Sequence, residues 1–139
     1  MKTLTKIFAI GAGGFLLLSA GLIQQTQQWV VPKEADVLKN PVKDNAAATA
    51  EGKKLYTTYC VVCHGEKGKG DGPAGVAISP RPADHSSAKF QAQTDGAIFW
   101  KITNGRPPMA SYKGTLSDVQ RWQLVNYTRE FGKAPVKKK

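Results

Sequence analysis

Cys60 and Cys63 are the only two cysteines in a chain of 139 residues, and just two residues separate them. A disulfide framework of the kind that staples small exported domains is therefore excluded. The pair must serve some local chemistry. The first thirty or so residues have the character of a targeting segment, which leaves about one hundred to fold, enough for one domain with one small core. Domains of that size bury little surface and often take a metal or a bound group as a staple.

The beginning of the chain reads as an export signal. Lys2 and Lys6 precede an apolar run, Ile7 to Ile23, with no acidic residue before it, the charge and hydropathy order of a signal segment. Ser19, Ala20 and Gly21 offer a small-residue cleavage site, yet the run is nearly long enough to span a bilayer. With the lysines inside and Trp29 at the outer interface, the reading taken is an exported protein held on the periplasmic side of the inner membrane by residues 7–23. A cleaved, soluble periplasmic product is the alternative. Residues 1–23 are thus a signal or anchor segment. Residues 24–44, polar and carrying Pro32 and Pro41, form a linker or a strap over the surface. Residues 45–132 form the domain proper, and residues 133–139 a basic tail.

The domain is expected to be all-α. Asp44 or Asn45 caps a first helix with Ala48, Gly52, Leu55, Tyr56 and Tyr59 on one face. Eight glycine or proline breakers from Gly65 to Pro82 rule out a long helix or central strand there. A second helix starts near Thr94, uses Ile98, Phe99 and Ile102 as its apolar side, and stops at Gly105. A third runs from about Ser117 to Phe131, with Val119, Trp122, Leu124, Tyr127 and Phe131 as its stripe. No internal repeat and no alternating run argues for a sheet.

The chemistry concentrates in Cys60-Val61-Val62-Cys63-His64. C-x-x-C-H is the pattern of c-type haem attachment, in which both thiols join one haem edge and the next residue, the histidine, faces the iron. A thioredoxin-like redox pair would want a βαβ context, which the chain does not show. A structural zinc site would need two further ligands, and only His85 remains. For the sixth iron position the candidate is Met109, the one methionine besides the initiator, set in the turn-rich segment Gly105 to Met109. A thioether beside an imidazole raises the reduction potential of haem iron. His85, alone in the polar stretch Ala83 to Ser87, reads as a solvated surface residue.

With the helix carrying Gly52 and Tyr56, the Cys60 to His64 motif, Gly70-Asp71-Gly72, Met109 and the helix carrying Trp122 and Tyr127, the chain resembles the class I c-type cytochromes over about residues 45–132. That resemblance implies a small helical fold around one covalent haem c. It also implies a near-perpendicular crossing of the first and last helices, with Gly52 and Tyr56 against Trp122 and Tyr127. A loop carbonyl, Pro80 first and Pro82 next, would accept the His64 Nδ1 proton. The pattern departs from the family's commonest form in placing Pro107-Pro108 before the methionine and no proline directly after it.

The function expected from these residues is electron transfer rather than catalysis. With His64 and Met109 both on iron no position is left for a substrate, and no distal acid–base pair supports an open-site catalyst or sensor. A fixed electron-transfer subunit of a larger membrane complex is the second reading. The formal net charge of +10 calls for an anionic partner. Its positives are dispersed and not interleaved with aromatics, which argues against nucleic acid and favours redox proteins with an acidic docking surface, met by Lys67 and Lys69 near the motif.

Overall fold

The structure is a computed structural model that describes residues 29–133. The apolar segment at residues 7–23 and all of the basic tail but Lys133 lie outside the described residues. Among the described residues six α-helices follow in order: α1 (Lys33–Asp36), α2 (Ala46–Tyr59), α3 (Val61–His64), α4 (Ala88–Gln91), α5 (Asp95–Asn104) and α6 (Asp118–Glu130), with a 3₁₀ turn at Gly75–Ala77. The described residues contain no strand, only an isolated bridge between Arg106 and Met109. None of their helices is long and apolar enough to cross a membrane.

Side-chain caps set where the helices begin. Asn45, Ser87, Thr94 and Ser117 each accept a hydrogen bond from the backbone N–H three residues on, satisfying a donor that the first helical turn leaves open, at about 1 kcal/mol apiece. Ser117 and Gln120 complete a reciprocal capping box, which pins the start of α6.

The α2–α6 contact is the largest between helices. A Cβ on Gly52 would stand 1.9 Å from the Gln123 carbonyl oxygen and 3.1 Å from the Tyr127 Cβ, so the close approach of the two backbones requires glycine here. Tyr56 packs on Tyr127 at 5.2 Å between ring centroids. Trp122 instead turns to α5, where it lies flat on Phe99 at 4.0 Å and 11°. The core closes around Tyr56, Phe90, Ile98, Ile102, Leu116, Trp122, Leu124 and Val125.

The stripe expected on α6 needs correction at one end. Val119 is exposed, while Arg121, Asn126 and Thr128 are buried. The Thr128 hydroxyl donates to the Val125 carbonyl at 2.7 Å. Asn126 donates to the Val42 carbonyl at 2.6 Å and accepts from Asn40 Nδ2 at 2.7 Å. Arg121 lies over the Phe99 ring and reaches Asp118.

Those Asn126 bonds show what residues 29–44 do. They run as a strap against α5 and α6. Asn40 also donates to Asp95 at 3.2 Å, Thr94 donates to Asp36 at 2.7 Å, and Trp29 meets Trp100 edge-on at 6.4 Å. The Gly96 Cα approaches the Ala35 carbonyl so closely that a Cβ would stand 2.1 Å from it.

Candidate functional site

The Cys60–His64 segment leaves α2 without a gap. Cys60 N–H donates to the Tyr56 carbonyl at 2.8 Å, and His64 N–H to the Cys60 carbonyl at 2.8 Å, so Cys60, Cys63 and His64 share one short helical turn. A four-residue helix leaves its last carbonyls open, and the glycine-rich loop that follows closes them. Gly70, Gly72 and Ala74 donate to the carbonyls of His64, Cys63 and Val62 at 2.9, 3.2 and 2.9 Å. Such folding back brings Gly75 against the Cys63 carbonyl, where a Cβ would stand 2.0 Å away. The loop that sequence reading saw only as rich in breakers is thus a cap built over the motif. Tyr56 adds a further tie, its buried hydroxyl donating to the Gly65 carbonyl at 3.0 Å.

Burial governs the electrostatics of this turn. It pushes the Cys60 thiol up to about 12, with Cys63 adding to the effect, so Cys60 stays protonated at neutral pH. Burial likewise lowers the His64 imidazole, against a smaller opposing effect of the Ala83 backbone, which favours the neutral ring that can coordinate a metal. Its Nδ1 is buried without a hydrogen-bond partner. The backbone group that acts on the ring is that of Ala83, where the resemblance implied Pro80 first and Pro82 next. The Pro82 carbonyl is turned to Gly70, where a Cβ would meet it at 2.3 Å.

Met109 sits at the end of a tight turn closed by two bonds, Arg106 N–H to the Met109 carbonyl at 3.0 Å and Met109 N–H to the Arg106 carbonyl at 2.8 Å. It is half-buried and packs against the core. Three residues on, the Tyr112 hydroxyl donates to the Tyr59 carbonyl at 3.0 Å, beside Cys60. The Tyr112 phenol is raised in pKa by burial first and then by Cys60 and Cys63. The methionine segment is thus fastened to the cysteine turn through Tyr112, a residue that sequence reading did not single out.

His85 corrects another expectation. It is buried, with 7% of its surface exposed, and its ring stacks on His64 at 4.3 Å and 25°. Burial, reinforced by His64 and opposed by Asp84, brings its imidazole down to about 3. Sequence gave no warning, because Asp84, Ser86 and Ser87 resemble a solvated stretch. Their polar atoms are spent locally: Asp84 Oδ1 accepts from the Ser86 N–H at 2.8 Å and from its hydroxyl at 2.6 Å, and Ser87 caps α4. Of the two lysines expected near the motif, Lys69 is engaged with Asp84 at 3.3 Å and with Ser86, while Lys67 is exposed.

The donor set suits a covalently attached haem: two thiols and a neutral imidazole on one turn, the imidazole carrying an orphaned buried nitrogen. A strand-free helical body closed around such a turn defines a class I c-type cytochrome domain. The family model described as "Cytochrome C oxidase, cbb3-type, subunit III" matches residues 47–127, and the chain belongs to that family. Among curated proteins it is similar to the "Cbb3-type cytochrome c oxidase subunit CcoP" of Azospirillum brasilense, 28% identical over 94 residues, covering 67% of this chain and 32% of the relative. Among solved structures it resembles the Kuenenia stuttgartiensis "reducing HAO-like protein complex Kustc0457/Kustc0458" with TM-score 0.61 and 28% identity, over 69% of this chain and 50% of that one. It also resembles the "KustC0563 c-type cytochrome" with TM-score 0.53 and 32% identity, over 59% of this chain and 98% of that one. The chain spans about a third of the length of its curated relative.

Proposed function

We propose that this chain is a single-haem electron carrier, with haem c joined through Cys60 and Cys63 and iron ligated by His64 and Met109. The observation that carries it is the shared turn of two thiols and a half-buried neutral imidazole whose Nδ1 is buried, with the Met109 segment bonded beside it through Tyr112. Haem bound there would supply the one-electron ferric–ferrous couple. The chain's own part is to hold and insulate. The loop from Gly65 to Ala77 fixes the turn by capping its carbonyls, and burial holds the His64 ring neutral. Leu55, Tyr59, Ile98, Ile102 and Trp122 set an apolar surround that excludes water, which favours the less charged ferrous state. His64 and Met109 together would leave the iron no open position for a substrate, so the role is transfer and not catalysis.

Partners follow from charge. A chain of net charge +10 suits redox proteins with an acidic face, and association with them would weaken as salt rises. The reading places the domain outside the cytoplasm, on the periplasmic side of the inner membrane, tethered by residues 7–23. A second reading, an electron-transfer subunit fixed within a membrane complex, is favoured by the names of the family and its curated relative, both subunits of a cbb3-type oxidase.

Absorption spectra of the haem-loaded protein, ferric and dithionite-reduced, with carbon monoxide added, test the ligand assignment. A low-spin wild type indifferent to carbon monoxide, beside a Met109→Ala variant that binds it, is the expected result. Carbon monoxide binding by the wild type would mean an open iron site and would overturn the carrier reading. Retention of residues 7–23 in a membrane fraction, together with co-purifying subunits, would select the second reading over a free carrier.

A further inference from the structure

We propose that His85 is a positioning residue: the flat face of its ring, laid against His64, fixes the plane in which the His64 imidazole stands. The inference rests on the reading that His64 binds haem iron, and it concerns what holds that ligand in place. Rotation of an imidazole about its bond to Cβ is a soft torsion with broad minima. A metal-binding histidine is ordinarily oriented by a hydrogen bond from its second nitrogen. Here Nδ1 of His64 is buried, and only the Ala83 backbone lies beside it, outside hydrogen-bond geometry. What the ring does have is a stacked neighbour at 4.3 Å and 25°.

A neighbour can orient a ring only if it is itself held, and His85 is held from several sides. Its N–H donates to the Gly68 carbonyl at 2.7 Å, and its carbonyl accepts from Gln91 Nε2 at 2.6 Å. The same Gln91 amide donates to the Thr128 carbonyl at 3.0 Å, tying the arrangement to α6. Phe90 lies against the His85 ring at 4.4 Å, Tyr56 at 5.9 Å and Phe131 at 6.0 Å. His85 is therefore a wall anchored in the motif loop, α4 and α6, with one face given to His64. The plane of an axial imidazole decides which iron orbitals it overlaps, so the orientation is readable in the anisotropy of the low-spin ferric state.

The competing view is that His85 merely fills volume behind the ligand. His85→Leu keeps the volume and removes the plane, whereas His85→Phe keeps a plane and removes the ring nitrogens. Each haem-loaded protein is examined by electron paramagnetic resonance, with covalent haem confirmed on a denaturing gel and folding by circular dichroism. The expected result is a changed spread and broadened lines of the g-values in the leucine variant, with wild-type values restored by phenylalanine. A leucine variant with wild-type g-values, or a phenylalanine variant altered as much as leucine, overturns the proposal. Should a ring variant fail to fold, Gln91→Ala loosens His85 from outside the core and is expected to broaden the same lines; an unchanged signal from it also overturns the proposal. A wild type without covalent low-spin haem would already fail before any substitution, and would overturn the functional reading together with this one.

Discussion

Gly52 on α2 and Gln123 on α6 are in backbone contact, near enough that a single methyl on Gly52 would stand 1.9 Å from the Gln123 carbonyl oxygen. Backbone cannot swing aside as the end of a flexible side chain can, so α2 and α6 would have to part. Gly52→Ala is therefore expected to destabilise the domain by about 3 kcal/mol, although alanine is the better helix former. Thermal unfolding followed by circular dichroism measures it, and an unchanged or higher midpoint would contradict the packing.

Arg129 joins α6 to the start of α5 and the end of α4. Its guanidinium pairs with Asp95 at 2.7 Å and donates to the carbonyls of Gln91 and Gln93 at 3.0 and 2.6 Å. One ammonium cannot reach three acceptors spread over that arc. Both Arg129→Met and Arg129→Lys are expected to cost about 2–3 kcal/mol, with lysine recovering little. Urea midpoints of the two variants decide the point.

Tyr56→Phe removes one hydroxyl and leaves the buried Gly65 carbonyl with the Gly68 N–H, at 3.1 Å, as its remaining partner. The expected loss is about 0.5–1.5 kcal/mol, while ring packing on Tyr127 stays. A double variant with Tyr127→Leu separates the hydroxyl from the ring contact.

Asn40 fastens the strap through Asn126 and Asp95 and accepts from the Val42 N–H at 3.0 Å. Asn40→Ala is expected to free the strap before the body melts, at a cost of about 1–2 kcal/mol. Limited proteolysis should then cut between residues 29 and 44 at rates the wild type does not show.

Asp84 carries a pH signature. Hydrogen bonds from Ser86, helped by Lys69, hold its carboxyl below the ordinary 3.8. A carboxylate more acidic in the folded than in the unfolded chain stabilises above its unfolded value and loses that contribution as pH falls through the lower folded one. The urea midpoint of the wild type should exceed that of Asp84→Asn at pH 6, and the gap should close below pH 3.8. The group is partly exposed, so the difference is small.

How far these contacts could be read beforehand depends on whether their cause is local. Helix starts at Asn45, Thr94 and Ser117 were legible because a cap acts within three residues. The Cys60 to His64 turn was legible because its spacing alone brings its side chains together. Gly52 was read as a close contact, though its partner proved to be Gln123 together with Tyr127. His85, Tyr112 and the buried face of α6 were not legible. His85 is buried by Phe90, Tyr56 and Phe131, which come from three separate helices or their ends. Arg121 and Asn126 look like a solvated face until Phe99 and the strap are placed over them. For the strap itself, polar composition left linker and docked segment equally open, and only its partners on α5 and α6 separate the two.

The α2–α6 contact orders events in time. Gly52 and Gln123 lie about seventy positions apart, and closing so long a loop is entropically costly until the buried surface that rewards it exists. The apolar face of α2 cannot be covered in its final form before α6 has been synthesised. Until then Cys60 and Cys63 stand on a chain still unclosed, accessible to whatever modifies their thiols. Closure then comes late and at once, with α6 sealing α2.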